Sequence, residues 1–219
     1  MTNGLIIVSF IGFLIGFTLI GLASLVRSRG TRHDYYLADS SVSPWLVGLS
    51  AVATNNSGYM FIGVIGYTYA TGLASIWLML GWITGDFIAS LFVHSRLREA
   101  TQSSHEVSYA GVLSAWYGAN NARLQRLIGV ISLIFLMAYA GAQLVAGGKA
   151  LQVLFDWPSW LGAVLGAVIV SLYCFAGGIR ASIWTDAAQS MVMLVAMALL
   201  FVVAVQSLGG VDQAIAEMQ

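Results

Sequence analysis

Long apolar runs alternate with short polar stretches along the whole chain. Six runs have the length needed to cross a bilayer as an α-helix, about 17–25 residues: Leu5–Val26, Trp45–Tyr69, Ser75–Ser95, Leu127–Leu151, Trp160–Ala176 and Ile183–Val205. Gly72 predicts a tight turn after the second run, and Gly177-Gly178 predicts the end of the fifth. The pattern predicts an all-α, polytopic membrane helix bundle, with residues 1–219 forming one membrane domain.

One polar cluster interrupts the second run near its middle. Four polar residues and a glycine follow one another there: Thr54, Asn55, Asn56, Ser57 and Gly58. Short polar side chains offer the backbone competing hydrogen bonds, and glycine has low helix propensity. Unwound backbone is tolerated at membrane depth only where it faces protein or a watery cavity. We therefore predict that the second helix is broken near residues 53–58, and the alternative is a polar contact between helices that binds no ligand.

A broken membrane helix has a defined chemistry. One half-helix ends in free carbonyl groups that coordinate a cation such as sodium, and the other begins with free N–H groups that receive a carboxylate. Many secondary transporters build a combined ion and solute site in this way. The polar cluster therefore predicts a transport site.

The composition supports a membrane location and excludes several classes of protein. The chain is 59% hydrophobic and 8% charged, whereas soluble domains carry about 25% charged residues. A net charge of zero gives no basic surface for nucleic acid. The single cysteine, Cys174, excludes an internal disulfide and a cysteine-cluster metal site. The sequence has no nucleophile–base pair or phosphate-binding glycine loop, so we predict neither enzyme activity nor a cofactor.

The positive charges predict the orientation of the chain. With the N-terminus outside, eight of the nine lysine and arginine residues lie on the inner side, and only Lys149 lies toward the outside. The first run ends in basic residues and exceeds the length of a signal-peptide core, so it is predicted to be a retained helix. We expect a multi-pass protein of the plasma membrane, which in a bacterium is the inner membrane.

Two acidic residues fall inside predicted spans, where an ionisable residue is a functional hypothesis by default. Asp86 lies midway along the third span, and its alternative role is that of a structural hydrogen-bond anchor. Asp186 lies near the inner end of the sixth span, and its alternative role is that of a helix N-terminal charge favoured by the dipole.

Two stretches carry a family resemblance: DYYLADSSVSPWLVGLSAVATNNSGYMFIG at 34–63 and FAGGIRASIWTDAAQ at 175–189. They resemble the sodium/solute symporter family, most closely its sodium/proline symporter branch, and the second stretch is similar to the pattern G-G-x-x-A-V-x-W-T-D-x-x-Q. The resemblance implies a leading helix and the first five-helix repeat of a leucine-transporter-type inverted-repeat fold. The chain is then expected to be the N-terminal part of a longer symporter domain, completed by a second repeat on the same or a separate chain.

The resemblance also implies a set of site residues. Main-chain carbonyls of Ala53 and Asn56 would bind sodium, the coupling ion, and Asp186 would lie along the inner route of that ion. The expected solute contacts are Asn55, Ser57, Gly58 and Tyr139. The proline branch usually has an aspartate at the position of Asn55, so neutral oxygens would coordinate the ion here.

The leading functional hypothesis is sodium-coupled symport of a small organic solute, with L-proline as the candidate solute. Its partners would be the solute, sodium, the lipid bilayer and the second repeat, with no nucleic acid. The alternatives are a solute-sensing, symporter-like membrane domain of a histidine kinase, and a structural subunit with no site of its own. A cytoplasmic kinase region downstream would identify the sensor.

Overall fold

The protein is a bundle of helices. The computed structural model describes residues 2–56, 58, 60–116, 121–211 and 213. The α-helices of the described residues are α1 (Thr2–Ala23), α2 (Arg32–Leu37), α3 (Pro44–Asn55), α4 (Ile65–Thr71), α5 (Ser75–Ala89), α6 (Ser95–Ser104), α7 (Tyr109–Ala115), α8 (Ala122–Phe155) and α9 (Ser159–Ser207). Short 3₁₀ or π-helical turns join several of them. The predicted all-α membrane bundle is confirmed.

Among the described residues, four continuous helical stretches are long and apolar enough to cross a membrane: Gly4–Arg27, Ile65–Ser104, Ala122–Phe155 and Ser159–Ser207. Two of these stretches contain a glycine that redirects the chain. Gly72, between α4 and α5, has φ 63° and ψ −142°, and Gly178, inside α9, has φ 58° and ψ −146°. These backbone angles are accessible essentially to glycine alone. Both predicted glycine turns are therefore present, whereas the number of spans stays a prediction.

The bend at Gly178 folds α9 back on itself. Twelve residues separate Tyr173 from Thr185, which in a straight helix would place them about 18 Å apart along the axis. Yet a Cβ atom built on Gly21 of α1 would lie 2.8 Å from Tyr173 Cβ and 3.0 Å from Thr185 Cγ2. Both halves of α9 therefore pack on the same point of α1, and α9 consists of two consecutive helices joined at Gly178.

The two halves of α9 form the centre of the described bundle. α9 packs against α1, α2, α3 and α8. Its buried residues are small, polar or aromatic, and cluster around the bend and the helix after it: Gly162, Tyr173, Gly177, Gly178, Arg180, Ala181, Thr185, Ala187 and Ser190. Most large apolar side chains elsewhere are exposed. Such outward-facing surfaces suit contact with lipid or with further helices.

Arg180, just after the bend, holds the segment between α1 and α3. Its side chain is 8% exposed. The guanidinium forms an ion pair with the Asp34 carboxylate and donates to the Ala38 carbonyl at 3.1 Å and to Ser41 Oγ at 3.2 Å. We call these four residues the Arg180 clasp. A buried charge is tolerated when it is paired and hydrogen-bonded in this way, so the clasp fixes α2 against α9.

Asp34 is the acidic member of the clasp. The backbone N–H of Arg29 donates to Asp34 Oδ2 at 2.7 Å. This bond, and then the Arg180 guanidinium, hold the pKa of Asp34 below its ordinary value of 3.8. A carboxyl group whose pKa is depressed by folding stabilises the fold above its unfolded pKa, and this stabilisation is lost as the pH falls through the folded value. The clasp is therefore intact at neutral pH and weakens only in acid below about pH 4.

We expect Asp34→Asn to lower the melting temperature in detergent micelles at neutral pH, and the variant and wild-type curves to converge below about pH 4. Heating followed by size-exclusion chromatography, repeated at several pH values, gives the melting temperature of each protein as a function of pH. Asp156→Asn is the matched control, because Asp156 has a left-handed backbone that asparagine also adopts. Wild-type and Asp34→Asn curves that stay parallel into acid would contradict this role of Asp34.

Candidate functional site

The regular hydrogen bonding of α3 stops at the polar cluster. The Asn56 N–H still donates to the Val52 carbonyl at 2.9 Å, but the backbone of Asn56 has φ −87° and ψ 62°, outside the helical region. Continuous helical structure resumes with a π-helical turn at Met60–Val64, which leads into α4. The break predicted near residues 53–58 is confirmed, and it begins directly after Asn55.

On one side, α3 is hydrogen-bonded to α9 through an acidic residue. Ser50 Oγ donates to Asp186 Oδ2 at 2.8 Å, and Ser182 Oγ donates to the same oxygen at 3.2 Å. One turn further along, Ser190 Oγ donates to the Leu49 carbonyl at 2.8 Å. Ser182, Asp186 and Ser190 of α9 are spaced four residues apart, so their polar side chains lie along one face of the helix. This polar face places the Asp186 carboxylate beside the final turns of α3.

The other end of the break is held by α8. The Gly58 N–H donates to Gln143 Oε1 at 2.8 Å. In an unbroken α-helix this N–H would donate to the carbonyl of Thr54. The break therefore separates a carbonyl from its usual donor and gives that donor to a neighbouring helix.

A third neighbour, α5, meets the last turn of α3 across a cleft. Trp82 Nε1 donates to Asn55 Oδ1 at 3.0 Å. The cleft has a volume of about 340 Å³, and its walls include Asn55, Asn56, Trp82 and Asp86. Asp86 therefore faces the polar end of α3.

The structure brings some of the predicted site residues together and separates others. Ala53 and Asn56 lie in and just after the last turn of α3, whereas Asp186 contacts α3 at Ser50, earlier in the helix, and Gly58 lies against α8. The Asn55 side chain is directed to α5. Tyr139 lies one helical turn before Gln143 on α8, and it is 47% exposed. Ser57 lies outside the described residues.

The sequence reasoning missed several residues at this site, among them Ser50 and Gln143. A signal existed for each of these two. Ser50 precedes Thr54 by four residues and so begins the same polar face of α3, where the Thr54 hydroxyl donates back to the Ser50 carbonyl at 3.0 Å. Gln143 is the one amide side chain within the apolar run Leu127–Leu151. Polar side chains isolated in a membrane helix usually contact another helix or a cavity.

A membrane helix that is broken along its length is a feature of many ion-coupled secondary transporters. A model of the sodium:solute symporter family matches residues 35–219. The chain belongs to the sodium:solute symporter family, a family of transporters rather than enzymes. It is a multi-pass membrane protein.

Curated relatives include the sodium/proline symporters of Staphylococcus aureus strains JH9, JH1 and Mu3. Each is 32% identical over 193 residues, which is 88% of this chain and 38% of the relative. The chain thus spans well under half the length of these relatives. No solved structure matches the chain significantly.

Proposed function

We propose that the chain forms the ion-binding part, and one side of the solute site, of a sodium-coupled symporter for a small organic solute. The observation that carries this proposal is the break after Asn55, flanked by Asp186 on α9 and Gln143 on α8. Backbone carbonyls freed at a break are suitable ligands for sodium. Sodium is here a transported substrate.

The ion site would combine neutral and charged oxygens. The carbonyls of Ala53 and Asn56 supply neutral oxygens at the end of α3. The Asp186 carboxylate, held by hydroxyl groups of Ser50 and Ser182, supplies negative charge beside that end. A carboxylate near a sodium site lowers the energy of the cation, most strongly where water is scarce. Asp186 would therefore attract the ion on its way to or from the inner side.

The solute would bind on the other side of the break. The N–H groups that begin the second half-helix favour a carboxylate, so the acidic end of an amino acid would bind at Ser57 and beside Gly58, whose own N–H is held by Gln143. Tyr139 would complete this side from α8, and Asn55 would contact the solute from the end of α3. L-proline is the first candidate, because the similar curated relatives are sodium/proline symporters. Helices equivalent to the rest of those relatives, on the same or a separate chain, would supply the remaining contacts.

Sodium binding and solute binding would be coupled if sodium orders the backbone at the break. An ion that fixes the carbonyl end also fixes the backbone that the solute must bind, so each ligand raises the affinity of the other. An inward sodium gradient would then drive solute uptake. The expected setting is a bacterial inner membrane with the N-terminus outside, because this orientation keeps the arginines on the inner side.

The proposal is tested by uptake of radiolabelled L-proline into proteoliposomes that contain the longest natural form of the protein. An inward sodium gradient is compared with an equal potassium gradient. We expect accumulation with sodium alone, and competition by unlabelled solutes ranks the substrates. Uptake of every solute tested at equal rates in both gradients would contradict sodium coupling.

A further inference from the structure

We propose that Gln143 is the positioning residue of the break: its side-chain oxygen keeps the Gly58 N–H away from the Thr54 carbonyl and so holds the helix open. The proposal deepens the proposed function, on which its transport measurements rest. Its first observation is the hydrogen bond from Gly58 N to Gln143 Oε1, 2.8 Å long and spanning 85 residues of sequence.

The close approach of α8 to the break depends on glycine. A Cβ atom built on Gly58 would lie 3.0 Å from Gln143 Oε1 and 3.2 Å from Ala146 Cβ. Both distances are tighter than about nine in ten real Cβ contacts. Gly58 and the small Ala146 therefore let the glutamine reach the backbone, and the two helices fit each other at this point.

The chemistry of glutamine suits this position. Its carboxamide oxygen accepts a hydrogen bond without bringing a charge into the membrane, where an unpaired charge is costly. The Gly58 N–H has two possible acceptors, the Gln143 oxygen in the open helix and the Thr54 carbonyl in a repaired one. The N–H is paired in either state, and the acceptor that it leaves is free to bind another partner. The position of α8 can therefore decide whether the Thr54 carbonyl is free.

Two substitutions separate the hydrogen bond from the size of the side chain. Gln143→Met keeps a long, flexible side chain but removes the strong acceptor. Gln143→Glu keeps an acceptor oxygen, and in the protonated form that burial away from water favours it adds no charge. Gln152→Met is the matched control, because Gln152 is exposed and lies on the same helix. All variants are made in the longest natural form of the protein.

The first measurement is amide hydrogen exchange of peptides covering 54–60, without sodium and without solute. We expect Gln143→Met to slow the exchange at Gly58 about tenfold or more, because the N–H then rejoins the Thr54 carbonyl. Faster exchange would show that the helix stays open without the glutamine and would contradict the proposal. Gln143→Glu and Gln152→Met should keep the wild-type rate. A wild-type rate in Gln143→Met, or an equal change in Gln143→Glu, would overturn the role of the acceptor oxygen.

The second measurement is the sodium dependence of uptake. Gln143→Met should raise the sodium concentration for half-maximal uptake about tenfold, because part of the ion's binding energy must reopen the helix. The maximal uptake rate should stay within about twofold of the wild-type rate. General misfolding would instead lower the maximal rate and leave the half-saturating sodium concentration of the folded protein unchanged. Rescue by Gln143→Glu supports the proposal, and an unchanged half-saturation in Gln143→Met contradicts it. Because the exchange experiment contains neither ligand, its result holds or fails independently of whether the protein proves to be a sodium symporter.

Discussion

Asp186→Asn is expected to raise the sodium concentration for half-maximal uptake about 10- to 100-fold. The side-chain amide retains the size of the carboxylate and one acceptor oxygen for Ser50, but it removes the negative charge beside the end of α3. A unit charge a few ångströms from a cation in a partly dry site is worth a few kcal/mol, and about 1.4 kcal/mol corresponds to tenfold in affinity. Initial uptake rates in proteoliposomes, measured over a range of sodium concentrations at fixed ionic strength, give the half-saturation.

Asp156→Asn is the matched control for this experiment. Asp156 ends α8 in a left-handed conformation, which asparagine also tolerates, and it lies far along α8 from Gln143. The sodium concentration for half-maximal uptake by the Asp156→Asn variant should equal that of the wild type. If Asp186→Asn also keeps the wild-type half-saturation, the carboxylate has no part in ion binding and serves only to hold Ser50 and Ser182.

The second large effect is expected from Gly178→Ala, which should lower the melting temperature by about 5–10 °C and reduce the yield of folded protein. The backbone angles of Gly178 cost a residue with a side chain about 1–3 kcal/mol. In addition, a Cβ atom there would collide with the Tyr35 carbonyl and lie 2.9 Å from Tyr35 Cδ2. Because Tyr35 belongs to α2, which the Arg180 clasp fixes, the strain cannot be relieved by a small shift of one side chain.

Gly129→Ala provides the comparison for this substitution. Gly129 lies in α8, and a Cβ atom there would meet nothing within 4 Å. We expect its melting temperature to stay within about 2 °C of the wild type, or to rise slightly, because alanine favours a helix. Heating followed by size-exclusion chromatography in the same detergent measures both variants. Equal stability of Gly178→Ala and the wild type would show that the bend does not need glycine.

The features that could be predicted from the sequence are those that neighbouring residues decide. The polar run from Thr54 to Gly58 weakens the helix locally, whatever surrounds it, and the break lies there. Gly72 and Gly178 likewise carry their own conformational freedom, and both have positive φ. The helical class followed from apolar runs that only helices can satisfy in a membrane.

The partners of the break could not be predicted, because they depend on how distant helices are rotated against each other. Gly58 and Gln143 are 85 residues apart, and Ser50 and Asp186 are 136 apart. Successive residues of an α-helix point in directions about 100° apart, so a change of one residue in register would turn the side chain of Gln143 or Asp186 away from the break. Tyr139 stood out because of its size and polar tip, whereas the contact to the break is made by the amide one turn later.

The structural role of Arg180 could not be predicted from the sequence either. In the sequence it is one of several arginines that orient the chain, and its distance from Asp34 gives no sign of an ion pair. In the structure it is buried, and it joins two segments that are 146 residues apart. Its role is set by the bend at Gly178, which brings α2 to the centre of the bundle.

The two arms of the broken helix are anchored to different parts of the molecule. Before the opening, α3 is tied to α9 by Ser50 and to α5 by Asn55; after it, Gly58 is tied to α8. The break can therefore act as a hinge. A rigid-body movement of α8 relative to α9 would change the distance between the end of α3 and Gly58 while each helix keeps its internal structure. Small displacements of α8 would in this way change the geometry of the proposed ion site without any loss of secondary structure.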